Sequence, residues 1–593
     1  MQLSPLPDIS SNRRLAMTAL VVTAIVSAAL IWHDGDLGKT LGDTDDAMRL
    51  VLVRDLMAGR GWYDQWVGRL QPPAGTYMHW SRLLDGGLAA MTWLFRGLLS
   101  PAAAETATRM VWPLMWIFPA VTCALLTARR LGGAGAVFVC AILLATNVQV
   151  YEQFRPGRVD HHNVQIVLTL IAAACAMAQD RARWAWLAGA AAGLGLAIGV
   201  EALAFQALIG ASFGLRAAVD PVQARPARNY ALALLAATLA FYGLQTPPWR
   251  WSMAFCDAIG LNLVAAVVTA SLGLAALAQW GGRLSTGWRL TLLVLIGVGA
   301  AGAYLAADPA CIRGPFAAVD PRLRPFWFDK IQELQSWPKL LRNSRDTAIA
   351  TMVTAAMTLA AAAVLLVRER RRVRPETLLA CAGVGLAAAL ASHAFRMQDY
   401  VFWLGFPALG AAFSLLSASL LGGLLLPTLA ASVILSPICV GLGLTQAAAS
   451  SRAKVTPSGI DEHCFDAAVY RPLAALPPGL VIGEVDLGPF ILAHTGDSVL
   501  AAPYHRMTWG ILASHEALNA PGAVAEAKVR ALKADYLVEC PTNGLRVGPH
   551  SFEADLRRGS TPGWLQPLSS RGQTLQIYRV RPADVVAPRA PRG

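Results

Sequence analysis

Apolar runs of close to twenty residues recur from about Met17 to about Leu444, separated by short polar or basic stretches. Each is long enough to cross a roughly 30 Å hydrocarbon core as a helix. Thirteen spans are expected, near 15–32, 105–128, 132–149, 162–178, 183–199, 201–216 and 229–245, then 257–279, 287–307, 346–367, 376–392, 399–416 and 419–445. The first run follows Asn12-Arg13-Arg14 but has no small-residue cleavage site before His33-Asp34-Gly35-Asp36, so it reads as a true span and not a signal peptide. The fold class predicted is an all-α polytopic membrane bundle with a small C-terminal α/β domain outside the membrane.

That C-terminal domain shows as a change of pattern. From about residue 446 the chain turns polar, with a turn at Pro477-Pro478-Gly479. Short β-like runs at Leu480–Ile482, Ser498–Ala502 and Tyr536–Val538 alternate with helix-like stretches such as Gly522–Lys533. The domains predicted are a cytoplasmic N-terminus (1–14), a membrane domain (15–445) with two long outer loops (33–104 and 308–345), an extracytoplasmic α/β domain (446–583), and a proline-bearing disordered tail (584–593).

Orientation follows from the basic residues of short loops. Arg13-Arg14, Arg129-Arg130, Arg181 with Arg183, Arg225 with Arg228, Arg283 with Arg289, and the run Arg368–Arg374 occupy alternate loops, which marks one cytoplasmic side. An odd number of spans then puts the C-terminal domain on the other side, as for a multi-pass bacterial inner-membrane protein. The net charge is +13, but the basic residues sit mostly in loops between spans, which excludes a nucleic-acid partner. Hydrophobic residues make up 55% and charged ones 15%, below the quarter or so of an ordinary soluble protein. Nine cysteines show no C-x-x-C spacing, so no zinc or thioredoxin-type motif is suggested. In an oxidising compartment Cys464 and Cys540 are candidates for a bridge, with two buried free thiols as the alternative.

Two polar clusters stand out. Asp43-Thr44-Asp45-Asp46 opens the first outer loop, and three carboxylates in four residues repel one another unless a cation neutralises them. The same residues would also cap the helix that Met48–Leu56 predicts. Arg158-Val159-Asp160-His161-His162-Asn163 stands at the outer mouth of the fourth span, where ionisable groups are expensive to bury and mark function by default. Asp160 and His162 reach one ion if the backbone is not yet helical there. If it is helical, they point apart and serve as an interfacial cap. Glu333, in the second outer loop, carries no weight by itself. Arg396, at the outer end of two spans, suits bidentate phosphate contact or interfacial snorkelling.

Together these features resemble the GT-C superfamily of membrane glycosyltransferases, and above all the catalytic subunit of oligosaccharyltransferase. Thr44-Asp45-Asp46-Ala47-Met48-Arg49 is similar to that family's first metal motif, and Asp160-His161-His162 to the archaeal form of its second. The resemblance implies Asp45, Asp160 and His162 as ligands of a divalent metal, Mn or Mg, with Asp46 as the alternative register. Pro72–Arg82 resembles the donor-facing segment, which puts His79 near the donor phosphate. Glu333 falls where the family has a Glu that meets acceptor and metal, and Arg396 matches the Arg that binds the lipid phosphate. The implied reaction is sugar transfer from a polyprenyl-(pyro)phosphate donor to an acceptor glycan, lipid or protein, with Asp45 or Asp46 handling the acceptor hydroxyl. The family's Trp-Trp-Asp acceptor motif is absent from the tail, so protein N-glycosylation is not implied. The competing classes are a transporter or lipid flippase, for which a membrane-embedded Glu201 would speak, and a scaffold with an extracytoplasmic domain.

Overall fold

The computed structural model describes residue 9 and residues 11–178, 181–449, 462–541, 548, 550–570 and 572–582. The expected tail 584–593 and most of segment 1–14 lie outside these residues.

The membrane part is built from α1 (Asn12–Asp34), α4 (Pro101–Met115), α5 (Ile117–Thr146), α6 (His162–Ala176), α7 (Arg181–Ile198), α8 (Leu203–Val219), α9 (Ala224–Gln245), α10 (Leu261–Trp280) and α11 (Thr286–Ala307). It continues with α13 (Arg345–Arg368), α14 (Pro375–His393), α15 (Gln398–Leu420), α16 (Leu425–Ile434) and α17 (Pro437–Ala449). Every apolar segment expected to span is helical, but two boundaries differ. The second and third expected spans are continuous through α5, which breaks at Gly132 and Gly133, the latter at φ 71°. The last is broken by 46° between α16 and α17, where Ser436-Pro437 removes a backbone donor. Among the described residues, seven helices are long and apolar enough to cross a membrane alone, or eight with that bent pair counted as one. The others are shorter or less apolar and pack among them.

The first outer loop is ordered by α2 (Thr44–Met57), a hairpin of β1 (Trp66–Val67) and β2 (Thr76–Tyr77), and α3 (Arg82–Arg96). The second carries the short helix α12 (Trp337–Asn343) and several single 3-10 turns. The C-terminal domain has five strands, β3 (Leu480–Gly483), β4 (Ser498–Val499), β5 (Tyr536–Glu539), β6 (Leu565–Pro567) and β7 (Gln576–Val580), in the order β4-β3-β5-β7-β6. β4, β3 and β5 are parallel and the other pairings antiparallel. Helices α18 (Arg471–Ala474), α19 (Gly488–His494), α20 (Thr508–Asn519), α21 (Gly522–Ala531) and α22 (Phe552–Arg557) complete the domain.

The first outer loop docks this domain. Val499 donates its backbone N–H to Arg69 and accepts from Gln71, so the loop runs alongside β4. The Arg69 guanidinium donates to the carbonyls of Leu492, Thr495 and Asp497, and Arg54 to that of Ala493. These carbonyls at and just past the end of α19 lack helical partners, and a cation satisfies them and the helix dipole together. One apolar core runs through both parts, from Val51 and Met78 to Phe490 and Ile511.

Cys464 and Cys540 form a disulfide that ties the entry of the C-terminal domain to the end of β5. A second, unforeseen disulfide joins Cys256 to Cys311, linking the loop before α10 to the start of the second outer loop. The remaining five cysteines are free. Alkylation of denatured, unreduced protein should therefore modify five cysteines by mass spectrometry, and nine after reduction. More than five before reduction would contradict the pairing.

Candidate active site

The helix α2 starts with a capping box. Asp43 accepts from the backbone N–H of Asp45 and Asp46, and Asp46 accepts from that of Asp43. Gly42, at φ +87°, makes the tight entry: a Cβ there would stand 2.5 Å from the Asp46 carboxylate. Asp46 also reaches across the chain. Its Oδ1 accepts from the backbone N–H of Val159 and Asp160 at 2.7 and 3.0 Å, and its Oδ2 from Arg158 at 2.9 Å. Asp46 is fully buried and saturated in this way, so its carboxylate does not face the cavity. Arg158 also pairs with Asp43. The acidic cluster is thus both a helix cap and a clamp on the second polar cluster.

The clamp leaves Asp45 facing a cavity of about 2060 Å³ between the membrane domain, both outer loops and the C-terminal domain. Burial, then the charges of Asp160, Asp43 and Glu333, push its carboxyl well above the usual range. Asp160 sits beside it just before α6. Burial acts against its charge, but His161, His162 and Arg49 outweigh that and hold its carboxyl well below the usual range. His161 Nδ1 lies 2.7 Å from Asp160 Oδ1, and His162 Nε2 lies 3.2 Å from Oδ2. The two imidazoles stack at 4.2 Å, with His161 toward the cavity and His162 behind it.

Arg396, in the single turn between α14 and α15, closes the site. Its Nη2 lies 2.8 Å from His162 Nε2, 2.7 Å from Glu201 and 3.6 Å from Glu333. Glu333 is half exposed on the second outer loop. Asp45, Asp160, His162, Glu333 and Arg396, drawn from four separate segments, are therefore neighbours. His79 lies on the same cavity wall, and burial, then His505, hold its imidazole well below the usual range.

Three partners were not foreseen. Glu201, expected as a membrane-embedded acid, lies in the turn between α7 and α8, 3.2 Å from His162 Nδ1 and 3.5 Å from His161 Nε2. His161 takes the cavity-facing place expected of His162. Arg49, four residues past Asp45, is fully buried over the Trp80 ring and donates to Asp85 at 2.9 Å and to Asp160 at 3.3 Å. Asp85 is in turn held by Arg82 at 3.2 Å. The only hint of this in the sequence was a set of charges inside otherwise apolar stretches.

The site residues fit a divalent cation. Carboxylate oxygens and imidazole nitrogens of Asp160, His161 and His162 lie within 4.8 Å of one another. Oδ2 of Asp160 is buried and accepts no hydrogen bond among the described residues, since the nearby His162 nitrogen is not aligned for one. The like charges around Asp45 are what a cation relieves, and mixed oxygen and imidazole donors suit Mn or Zn.

This architecture is an apolar bundle with two ordered outer loops and a C-terminal α/β domain closing one cavity. Among solved structures it is similar to the oligosaccharyltransferase of Archaeoglobus fulgidus. The apo form aligns with a TM-score of 0.65 at 15% identity, over 89% of this chain and 69% of that one. A form named AglB, in complex with an inhibitory peptide and a dolichol-phosphate, aligns at 0.63 and 14%, over 89% and 69%. A complex with Zn and sulfate aligns at 0.60 and 15%, over 88% and 68%. No family model matches the sequence, and no curated protein does.

Arg49→Ala removes a buried charge from between two buried carboxylates. The loss should cost about 3–5 kcal/mol of stability, since Asp160 loses a cationic partner while Asp85 keeps only Arg82. Thermal unfolding in detergent reads it, and an unchanged midpoint would contradict the pairing.

Proposed function

We propose that the chain is a membrane glycosyltransferase that moves a sugar or oligosaccharide from a polyprenyl phosphate or pyrophosphate to an acceptor. The observation that carries this reading is the gathering of Asp45, His161, Glu333 and Arg396 on one large cavity, with Asp160 and His162 directly behind its wall, on a fold shared with an oligosaccharyltransferase. The dolichol-phosphate in one such structure and the zinc and sulfate in another support a lipid-phosphate donor and a divalent ion here.

In this reading an acceptor hydroxyl attacks the anomeric carbon. The bond from that carbon to the phosphate oxygen breaks, and the lipid phosphate leaves with the bonding electrons. Arg396 exchanges its present contacts with Glu201 and Glu333 for the phosphate, a fork-shaped donor meeting a multidentate anion in a partly dry site. Asp45 orients the acceptor hydroxyl and takes its proton. Glu333, on the loop above, holds the acceptor against Asp45. Asp46 and Arg49 do no chemistry and keep Asp160 in place. His79 contributes a polar edge toward the donor. A divalent ion on Asp45, Asp160 and His162 would supply positive charge against the departing phosphate. Glu201 is engaged by His161, His162 and Arg396 at the mouth of the site, which weakens the feature that favoured a transporter.

The basic loops support a site on the outer face of a bacterial inner membrane. A reporter fused after Arg372 should be cytoplasmic and one after Gly593 external; the same side for both would refute this topology.

The activity test uses purified protein and a radiolabelled polyprenyl-linked sugar. Release or transfer of the label should require a divalent ion. Asp45→Ala, Asp160→Ala and Arg396→Ala should each lower the rate by about 10²–10³-fold or more, the scale of removing a charge-stabilising group. Wild-type activity in Asp45→Ala or Asp160→Ala would overturn the reading.

A further inference from the structure

A second cluster of ligating side chains stands on the same cavity, away from Asp160. His79 follows β2 in the first outer loop, Asp257 lies in the loop between α9 and α10, and His505 belongs to the C-terminal domain. Their nitrogen and carboxylate atoms lie within 4.8 Å of one another. His505 Nε2 is 2.7 Å from Asp257 Oδ2, and both side chains are close to fully buried. The His79 and His505 rings meet edge to face at 4.7 Å. His79 has ring contacts with His505 and Trp80 and makes no hydrogen bond among the described residues.

Each member is held from outside the cluster. Arg506 grips Asp257 with two bonds, Nε to Oδ2 at 2.9 Å and Nη2 to Oδ1 at 2.8 Å, and adds a third to the Tyr77 carbonyl at 3.4 Å. Cys256, next to Asp257, is tied by its disulfide to Cys311. Phe316 packs edge-on against His505 at 5.4 Å. Ligands braced by a further shell of hydrogen bonds, with a carboxylate itself held by other donors, are the build of a metal centre.

We propose that His79, Asp257 and His505 hold a second divalent ion of the zinc class on the cavity wall, where the first outer loop meets the C-terminal domain. Two imidazoles and one carboxylate are a zinc set with one coordination position left open. Magnesium, which asks for an oxygen shell and keeps its waters, is disfavoured by the same donors. Ligands on one zinc at about 2.0–2.1 Å stand about 3.4 Å apart, so on binding the His505–Asp257 pair, now at 2.7 Å, opens to admit the ion and His79 turns onto it. The ion takes the place of the proton between His505 and Asp257, and that proton goes to solvent. The open position faces the cavity and fits an anionic oxygen of a bound ligand, so the ion and not the bare His79 ring meets it. The site also joins the membrane domain to the C-terminal domain. This assignment concerns ion binding and stands or falls apart from sugar transfer.

The test is metal stoichiometry on the full chain in detergent, stripped with chelator, dialysed against Zn²⁺ and read by elemental analysis, with Co²⁺ absorption to report imidazole ligation. Wild type should retain two equivalents. His79→Ala and His505→Ala should each retain one, with loss of one Co²⁺ spectral component, and Asp160→Ala should lose the other. Arg506→Lys should weaken the second site by about 10–100-fold. If His505→Ala does not fold, His79→Ala decides, because the Arg506–Asp257 contacts remain in it. Wild-type stoichiometry in His79→Ala, or a single wild-type equivalent that Asp160→Ala abolishes, would overturn the proposal and leave the cluster as a hydrogen-bonded latch between domains.

Discussion

A buried carboxylate must find donors for its lone pairs, and Asp46 finds them 113 residues away in the backbone of Val159. Together with the next N–H, that of Asp160, and the Arg158 guanidinium, this contact joins the start of α2 to the mouth of α6. The rest of the site follows from it. Asp45, one residue before Asp46 on the first turn of the helix, faces the cavity, and Asp160 is held beside it. Crowding of like charge at that point is tolerated because Arg158, Arg49 and Arg396 surround it with cations at short range. The Arg49–Asp160 and Arg158–Asp43 pairs reinforce the same seam between the two acidic segments.

The same economy operates between domains. A membrane helix bundle alone would leave the ends of its helices open to water. Here Arg54 and Arg69 of the first outer loop satisfy carbonyls at and beyond the C-terminus of α19, and the loop backbone pairs with Val499. Asp257, Arg506 and His505 make a second seam on the other side of the cavity. The cavity is therefore walled by both domains, with the proposed donor groups of the bundle on one side and the polar residues of the α/β domain, such as Asp486 and Ser514, on the other. A site assembled in this way has room for a large ligand such as the proposed lipid-linked substrate.

Much of this was legible in the sequence, for local reasons. Apolar length gave the helices, and the shift to short strand runs gave β3, β4 and β5. β6 and β7 were not anticipated: Leu565–Pro567 is three residues long, and Gln576–Val580 carries Gln and Arg, so neither stands out from a loop. The double reading of Asp43–Asp46 as cap and as site proved to be two roles for different residues, with Asp43 and Asp46 in the cap and Asp45 left for the cavity. The meeting of Glu333 and Arg396 with Asp160 rested on resemblance alone, since nothing in local pattern encodes a contact across 234 residues such as that of His162 with Arg396. Glu201, at the start of the sixth expected span, carried no local sign of its partners His161, His162 and Arg396. Asp257 was silent for the same reason as Arg49: it gains meaning only from partners distant in the chain.

The central claim is that the two acidic segments and Arg396 form one site for an ion and a lipid phosphate. A structure determined with Mn²⁺ and a polyprenyl phosphate tests it most directly, with anomalous scattering to locate the metal. The account predicts a manganese peak among Asp45, Asp160 and His162, with the lipid phosphate on the Arg396 side of it. A metal peak confined to some other part of the chain, or a lipid phosphate bound away from Arg396, would contradict it.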